Sequence, residues 1–400
     1  MIMGKYWLLI VILLSAAFLR FDQKSEDNFV ESERLAVNQN LQIKNYPEFS
    51  KSVQYFDTDV GRVVIARWPK FEKGDLVKVT GNYLPERQAV WFPDVQLVEK
   101  SSGFQGVVND VRSLAEVKIN SVFKHQASEL MLGMLIGLND LSPRLSENLK
   151  SAGIIHVVVV SGQNLALVFS FLAVGAKYFR RKLFVLISIL IISGYVVVVG
   201  FEAPVVRAYI MILVALSAEV FGRKYSSVQA LILAGLLMLV YNPSYLTEIS
   251  FQLSFLASVG VLIGLAVTRR LNMGHKRFFG YVVEVYITSF FAWMTTTPVI
   301  IMSFGSVSVV APIVNLVLLW LVPIFMVVGA IVSVLPSNWW VVNVLSYPVQ
   351  ILIDVFVRII NFFADINQNI FEPKVDISIY IVIFSYILIL ICLKIMINKK

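Results

Sequence analysis

A chain of 400 residues that is 58% hydrophobic and only 15% charged carries more apolar surface than a soluble domain can bury, so it is expected to cross a membrane repeatedly. The formal net charge of +8 falls largely in short clusters beside apolar runs, as the positive-inside rule requires, and is no nucleic-acid signature by itself. A lone cysteine, Cys392, excludes an intrachain disulfide, and three dispersed histidines, His125, His156 and His275, lack zinc-like spacing. No metal or cofactor is expected.

The chain opens with Lys5 and an apolar run from Tyr6 to Leu19. Residues 1–20 are expected to be a first span; a cleaved signal sequence is the alternative, and either one exports the polar segment after it. Residues 21–105 are the most polar part. Short β-rich runs at Val60–Trp68, Asp75–Tyr83 and Ala89–Val98, separated by turn-forming stretches, predict a small exported β-barrel resembling an oligonucleotide-binding (OB) fold. Trp68 and Trp91 are interleaved with Arg62, Arg67, Lys70, Lys73 and Lys78. Aromatic faces can stack bases while cations track phosphates, so these seven are the candidate DNA-binding residues. The competing reading makes the aromatics core and the cations solvated faces.

Residues 106–150 read as amphipathic helix, with Val107, Val108, Val111, Leu114 and Val117 recurring three to four apart among Asp110, Arg112 and Glu116. Such a segment either lies on the membrane or packs on the barrel. Residues 151–400 form the membrane domain, with spans expected near 154–178, 182–200, 204–221, 226–241, 249–268, 281–303, 309–334, 340–364 and 376–397. About ten spans in all put the basic clusters at 180–182, 223–224, 269–277 and 399–400 inside, residues 21–150 outside and the carboxy terminus in the cytoplasm. The weakest is 340–364, whose Asp354, Arg358 and Asp365 form a polar stripe.

Polar side chains inside spans are costly and mark candidate sites. His156, Ser161, Gly162, Gln163 and Asn164 interrupt one apolar run, and a helix break there would turn backbone groups toward a cavity. Arg207 stands about one turn into the next-but-one span, where it either snorkels or pairs with Glu202 or Glu248. Gln252 and Ser254 are polar within Glu248–Phe255, Thr295-Thr296-Thr297-Pro298 predicts a broken helix, and Asn315 comes soon after Pro312. The expected pore residues are therefore His156, Ser161, Gly162, Gln163, Asn164, Arg207, Glu248, Gln252, Ser254 and Asn315.

In combination these segments resemble the ComEC competence family, bacterial inner-membrane proteins that pass transforming DNA into the cell as a single strand. The resemblance rests on Leu132–Gly137 with Leu141-Ser142, on Gly153–His156 and Val160–Asn164, on Arg207-Ala208 with Met211, on Asn242-Pro243 and Phe251–Leu256, and on Thr297-Pro298, Phe304-Gly305 and Pro312–Leu316. It implies an OB-like exported module, a cell-membrane channel and no enzyme activity in this chain. Many members have a histidine where Asn164 stands. Long members carry a carboxy-terminal metallo-β-lactamase-like domain; this chain resembles a short form without it. The partners implied are single-stranded DNA, membrane lipid, a separate nuclease, a DNA receptor, a cytoplasmic motor ATPase and a second copy of the chain. Two other functions stay open: transport of another anionic polymer or lipid-linked substrate, and an intramembrane serine hydrolase built on Ser161 and His156.

Overall fold

The structure is a computed structural model that describes residues 35–371 apart from 51–52, 85–88, 139, 160 and 271–277. The expected spans at 1–20 and near 376–397 lie outside the described residues.

Seven strands come first: β1 (Leu35–Gln42), β2 (Glu48–Ser50), β3 (Val53–Thr58), β4 (Gly61–Ala66), β5 (Leu76–Leu84), β6 (Ala89–Trp91) and β7 (Asp94–Glu99). They are hydrogen-bonded in the order β1-β5-β6-β4-β3-β2, with β7 also on β5. Alternation along β5 turns Val77 and Val79 inward and Lys78 and Thr80 outward, the pleat that half-buried strands require. Val63, Ile65 and Phe56 complete the small core. The run 89–98 does not form one strand. Phe92 takes a left-handed conformation (φ 45°) and Pro93 has no N–H to donate, so the chain leaves β6 and crosses to β5 as β7. The barrel is not closed: β1 and β2 end the path, and no pairing among the described residues joins them. The architecture is an open mixed sheet with helices after it.

Residues 106–150 become three helices, α1 (Gly103–Val122), α2 (Gln126–Ile136) and α3 (Pro143–Ser151). Next come α4 (Ile155–Val158), α5 (Gly162–Gly175), α6 (Arg181–Val199), α7 (Ala203–Val220), α8 (Ser227–Tyr241), α9 (Ile249–Arg270), α10 (Phe278–Phe304), α11 (Ala311–Leu318), α12 (Val322–Val334) and α13 (Trp340–Phe371). Five described helices are long and apolar enough to cross a membrane: Arg181–Val199, Ala203–Val220, Ile249–Arg270, Gly280–Phe304 and Ala311–Val334. α8 is apolar but shorter, the expected 154–178 span is interrupted, and α13 is not among the five.

α6 and α7 form a hairpin. Gly200 turns at φ 113°, a conformation that L side chains avoid, and Pro204 opens α7 where its missing N–H costs nothing. At the other end Arg181 and Glu219 lie 3.8 Å apart, so the basic groups at 180–182 and 223–224 share that end. α9 and α10 pack closely because Gly260 and Gly264 offer no side chain. A Cβ on Gly260 would sit 2.5 Å from the Phe291 carbonyl oxygen, and one on Gly264 2.7 Å from Thr288 Cα. The Thr295 hydroxyl donates across this seam to the Leu256 carbonyl at 2.9 Å. The expected break at Pro298 is absent. α10 runs through it, and the Thr295, Thr296 and Thr297 hydroxyls bond carbonyls one turn back.

The sheet is fastened at the hairpin end opposite the basic groups. Arg112 of α1, 7% exposed, donates from Nη1 to the Ile136 carbonyl at 2.7 Å and also to the Val198 carbonyl. Its guanidinium lies 3.8 Å from the centre of the Tyr46 ring, which also packs over Gly200. One cation thus satisfies carbonyls at the ends of α2 and α6 and stacks on the sheet. Burial pulls its pKa below the ordinary arginine range against the opposing pull of Tyr46, Glu116, Glu72 and Glu202. Asn109 adds bonds to the Lys73 carbonyl (2.9 Å) and the Ser101 hydroxyl (2.7 Å). Residues 106–150 are no separate layer: Ile119, Leu130, Leu135 and Leu145 share one core with Val322, Phe325 and Phe356. Losing charge-assisted bonds to buried carbonyls costs roughly 1.5–3 kcal/mol, so Arg112→Leu should lower the thermal midpoint of the purified protein and expose the 100–103 link to trypsin.

Candidate functional site

The run containing His156 leaves helix between Val158 and Gly162. Val159 and Ser161 are extended, and α5 begins at Gly162. This break packs onto the first turn of α7 so closely that only glycine fits. A Cβ at Gly162 would lie 2.6 Å from Arg207 Nη2, 3.0 Å from Ala208 Cβ and 3.1 Å from the Pro204 carbonyl oxygen. Arg207 reaches on to α9, donating from Nη1 to the Ser254 carbonyl and the Ser258 hydroxyl, with its guanidinium 6.0 Å from the Phe255 ring centre. Ser258 returns its hydroxyl proton to the Ser254 carbonyl at 2.9 Å. Three stretches far apart in sequence, 161–162, 204–208 and 254–258, therefore meet at one guanidinium.

Arg207 has neither of the partners expected for it. Among the described residues no carboxylate lies within ion-pair distance of it, and its Nε is buried without an acceptor. Glu202 caps α7 and lies within electrostatic reach of Arg112 and Glu48 instead, and Glu248 is an exposed residue ahead of α9. The Ser254 hydroxyl is a second buried polar atom without a partner at this seam.

The remaining expected pore residues divide. His156 and Gln163 are exposed on either side of the break. Asn164 is 1% exposed and locks the start of α5 to α2, donating to the Met134 carbonyl at 2.9 Å and accepting from Ser161 Oγ at 3.4 Å. Gln252 is equally buried and closes the turn before α9 through the Leu246 carbonyl at 2.6 Å. Asn315 joins α11 to α10 through Ser289 Oγ at 2.9 Å. These three amides tie backbone and helices together and do not join the Arg207 cluster. Ser258 and Phe255 do join it, and the sequence reading missed both. The available signal was the four-residue spacing of Ser254 and Ser258, which puts both on one face of α9.

On the sheet, parallel pairing of β4 with β6 sets Trp91 opposite Val64, so Trp91 and Phe92 leave the sheet at the end of β4 from which the chain runs on to Trp68. Trp68 and Phe92 are 68% and 59% exposed. Lys70 lies between the Trp68 and Phe49 rings, 5.2 and 5.4 Å from their centres. Most of the expected phosphate ligands are already engaged. Lys70 bonds Asp140 at 2.6 Å, Arg67 pairs with the same carboxylate, Arg62 pairs with Asp57 at 3.1 Å, and Lys73 rests on Tyr46. Lys78 stands exposed on β5. Arg67, Lys70 and Asp140 help to wall a cavity of about 510 Å³, which Glu116 (3.5 Å from Lys70), Lys124 and His125 also line.

Because the Arg207 fork fills the space that Gly162 leaves, Gly162→Ala should destabilise the protein by about 1–3 kcal/mol. In an Arg207→Ala background the same change should cost measurably less, the Pro204 and Ala208 contacts remaining; a double-mutant cycle of thermal unfolding reads the coupling.

The chain is 28% identical over 228 residues to an uncharacterised protein of Aquifex aeolicus (strain VF5), covering 56% of this chain and 49% of that one. It is 24% identical over 186 residues to ComE operon protein 3 of Bacillus subtilis (strain 168), covering 46% of this chain and 23% of that one. The chain thus spans half or less of these relatives. No solved structure matches. A family profile described as "Competence protein" matches residues 134–397, which contain the broken helix, Arg207 and the α9 serines: the chain belongs to the competence protein family.

Proposed function

We propose that the chain forms the passage by which single-stranded DNA crosses the bacterial cell membrane during natural transformation, with the sheet outside and the basic hairpin ends in the cytoplasm. Membership of the competence family supports a part in DNA uptake. The observation that carries the finer reading is the convergence on Arg207 of a non-helical backbone segment and two α9 serines. Irregular backbone at membrane depth is tolerated where protein or water covers it, and a fixed guanidinium suits a phosphodiester.

The exposed Trp68–Trp91–Phe92 edge is the proposed landing surface. Stacking on it is indifferent to base identity, as uptake of arbitrary sequence demands. Arg67 and Lys70 are assigned to fastening the sheet, not to phosphate. The basic groups at 180–182 and 223–224 share one end of the α6–α7 hairpin and the sheet occupies the other, which supports the assigned orientation. We read the chain as non-enzymatic. Ser161 Oγ turns to Asn164, which argues against a Ser161–His156 nucleophile–base pair. Strand degradation and driving force are assigned to separate partners, a nuclease and a motor.

Loss of a charge-assisted fork costs roughly 1.5–3 kcal/mol, so Arg207→Ala in a deletion strain should cut uptake of labelled DNA about tenfold or more at equal protein level. Arg207→Lys should rescue it only in part. Unchanged uptake in Arg207→Ala would remove this residue from the passage. Full-length protein in lipid nanodiscs should lose about 1–3 kcal/mol of oligothymidylate affinity per tryptophan on Trp68→Ala and Trp91→Ala. Asp140→Asn, which removes the one carboxylate that Arg67 and Lys70 share and leaves Lys70 its Glu116 contact, should instead tighten binding and steepen its salt dependence modestly.

A further inference from the structure

Several cations of the sheet already have a carboxylate. Arg62 pairs with Asp57, Arg67 and Lys70 share Asp140, and Lys44 lies 2.6 Å from Asp59 at an exposed edge. Lys73 and Lys100 differ: among the described residues no carboxylate lies within ion-pair distance of either. Lys73 is half-buried, with Nζ 5.3 Å from the centre of the Tyr46 ring, and the same ring carries Arg112. Burial, and after it the Arg112 charge, pull the Lys73 ammonium below the ordinary lysine range. Two cations share one ring and neither is ion-paired, so the local field favours an incoming anion.

Lys73, Lys44 and Lys100 line a cavity of about 530 Å³, in which Glu99 is the one acid among the lining residues; Glu72 lies within electrostatic reach of Lys100. Its walls are fixed by backbone. The Gly74 N–H donates to the Ile43 carbonyl at 2.9 Å, the Ile43 N–H to the Asp75 carbonyl at 3.0 Å, and the buried Asp75 carboxylate accepts the Ser101 N–H at 2.9 Å. A Cβ on Gly74 would sit 2.9 Å from Gln105 Cγ, so the loop before β5 and the start of α1 meet without slack. Only the lysine heads are free to adjust, and each is a compact charge with three donors. The level of the cavity is set by Tyr46. Its ring lies over Gly200, and its hydroxyl accepts from Gln105 at 3.4 Å. Gly200 ends α6, 19 apolar residues long enough to cross a membrane, so acyl chains give way to headgroups there. One side chain thus separates Lys73 from that boundary.

We propose that this cavity binds the phosphodiester headgroup of an anionic phospholipid of the phosphatidylglycerol type, taken from the leaflet on the sheet side, with Lys73 and Lys100 as its principal ligands and Lys44 as a third cation. A membrane lipid fits better than a nucleic-acid strand because of where the stacking surface lies. Trp91 and Phe92 follow the pairing of β6 with Tyr83 and Leu84, at the far end of β5 from Lys73 and about 20 Å of strand away. The cavity instead adjoins the end of a span. A headgroup there would balance the cations on Tyr46 and tie the sheet to the bilayer, whatever the membrane domain carries.

The test uses the full chain, delipidated in mild detergent, with native mass spectrometry and the lipid-dependent rise in thermal midpoint as readouts. Dioleoylphosphatidylglycerol should be retained more tightly than dioleoylphosphatidylethanolamine and raise the midpoint further. Lys73→Gln with Lys100→Gln should weaken the tightest-bound phosphatidylglycerol roughly tenfold or more. Arg223→Gln with Lys224→Gln, at the opposite end of the α6–α7 hairpin, should leave that lipid in place. Lys100→Gln alone, at an exposed position, should still weaken it severalfold, so a folding defect at Lys73 would not blunt the test. Equal retention of the two lipids, or equal loss in the two double variants, would overturn the proposal, since the lysines would then act only as diffuse surface charge. Displacement of the lipid by equimolar glycerol 3-phosphate would overturn it in favour of a free phosphate, and displacement by oligothymidylate in favour of nucleic acid.

Discussion

A helix that stops inside an apolar surround leaves N–H and carbonyl groups that lipid cannot satisfy, and each one left bare costs several kcal/mol. The break between Val158 and Gly162 is therefore possible only because other elements cover it. α2 receives Asn164, the first turn of α7 fits against Gly162, and α9 holds the arginine that fills the gap between them. Placement of the hairpin, of α9 and of the 126–158 region is set by the need to enclose that non-helical stretch. Gly260 and Gly264 serve the same end one layer out: by letting α10 approach α9, they fix the helix that presents Ser254 and Ser258.

The sheet obeys a related constraint at the hairpin end. Carbonyls at the ends of α2 and α6 need donors, and Arg112 supplies both while stacking on Tyr46. A second set of ion pairs, Arg67 and Lys70 on Asp140, closes the other side. The cations nearest the exposed tryptophans are thus committed to holding the sheet in place, and what the sheet offers a ligand is mainly aromatic. Stacking loses less to salt than phosphate pairing does, which would suit the landing surface proposed for it.

Much of the helical part was legible in the sequence because its signals are local. Runs of about twenty apolar residues with basic ends located α6, α7, α9 and α10 within a few residues. The clustered polar residues at 156–164 marked the break for the same reason. What failed was non-local. Closure of a sheet depends on which strands meet, and strand composition is the same in an open sheet and a barrel; a single left-handed residue, Phe92, redirected the 89–98 run. Nor do the polar residues in the spans all gather at one point. Asn164, Gln252 and Asn315 look in sequence just like Ser161 or Ser254, yet their amides close local or interhelical bonds. An amide in an apolar run costs the same whether it faces water or binds a neighbouring carbonyl, so only the partner tells the two apart.

Among the described residues no carboxylate stands beside Arg207, and this bears directly on the proposed passage. An arginine–carboxylate pair in a low-dielectric seam is hard to separate, because parting it strands two charges. A carbonyl and a hydroxyl are weaker, neutral acceptors, and releasing the guanidinium strands only one charge, its own. A phosphodiester oxygen arriving at the seam would offer that guanidinium a charged acceptor in place of neutral ones, and the unpartnered Nε is a donor it has yet to use. The exchange is favourable for an anion and unfavourable for a neutral solute or a cation. The same contact that closes the α5–α7–α9 seam at rest would thus make its opening conditional on the charge of the chain passing through it.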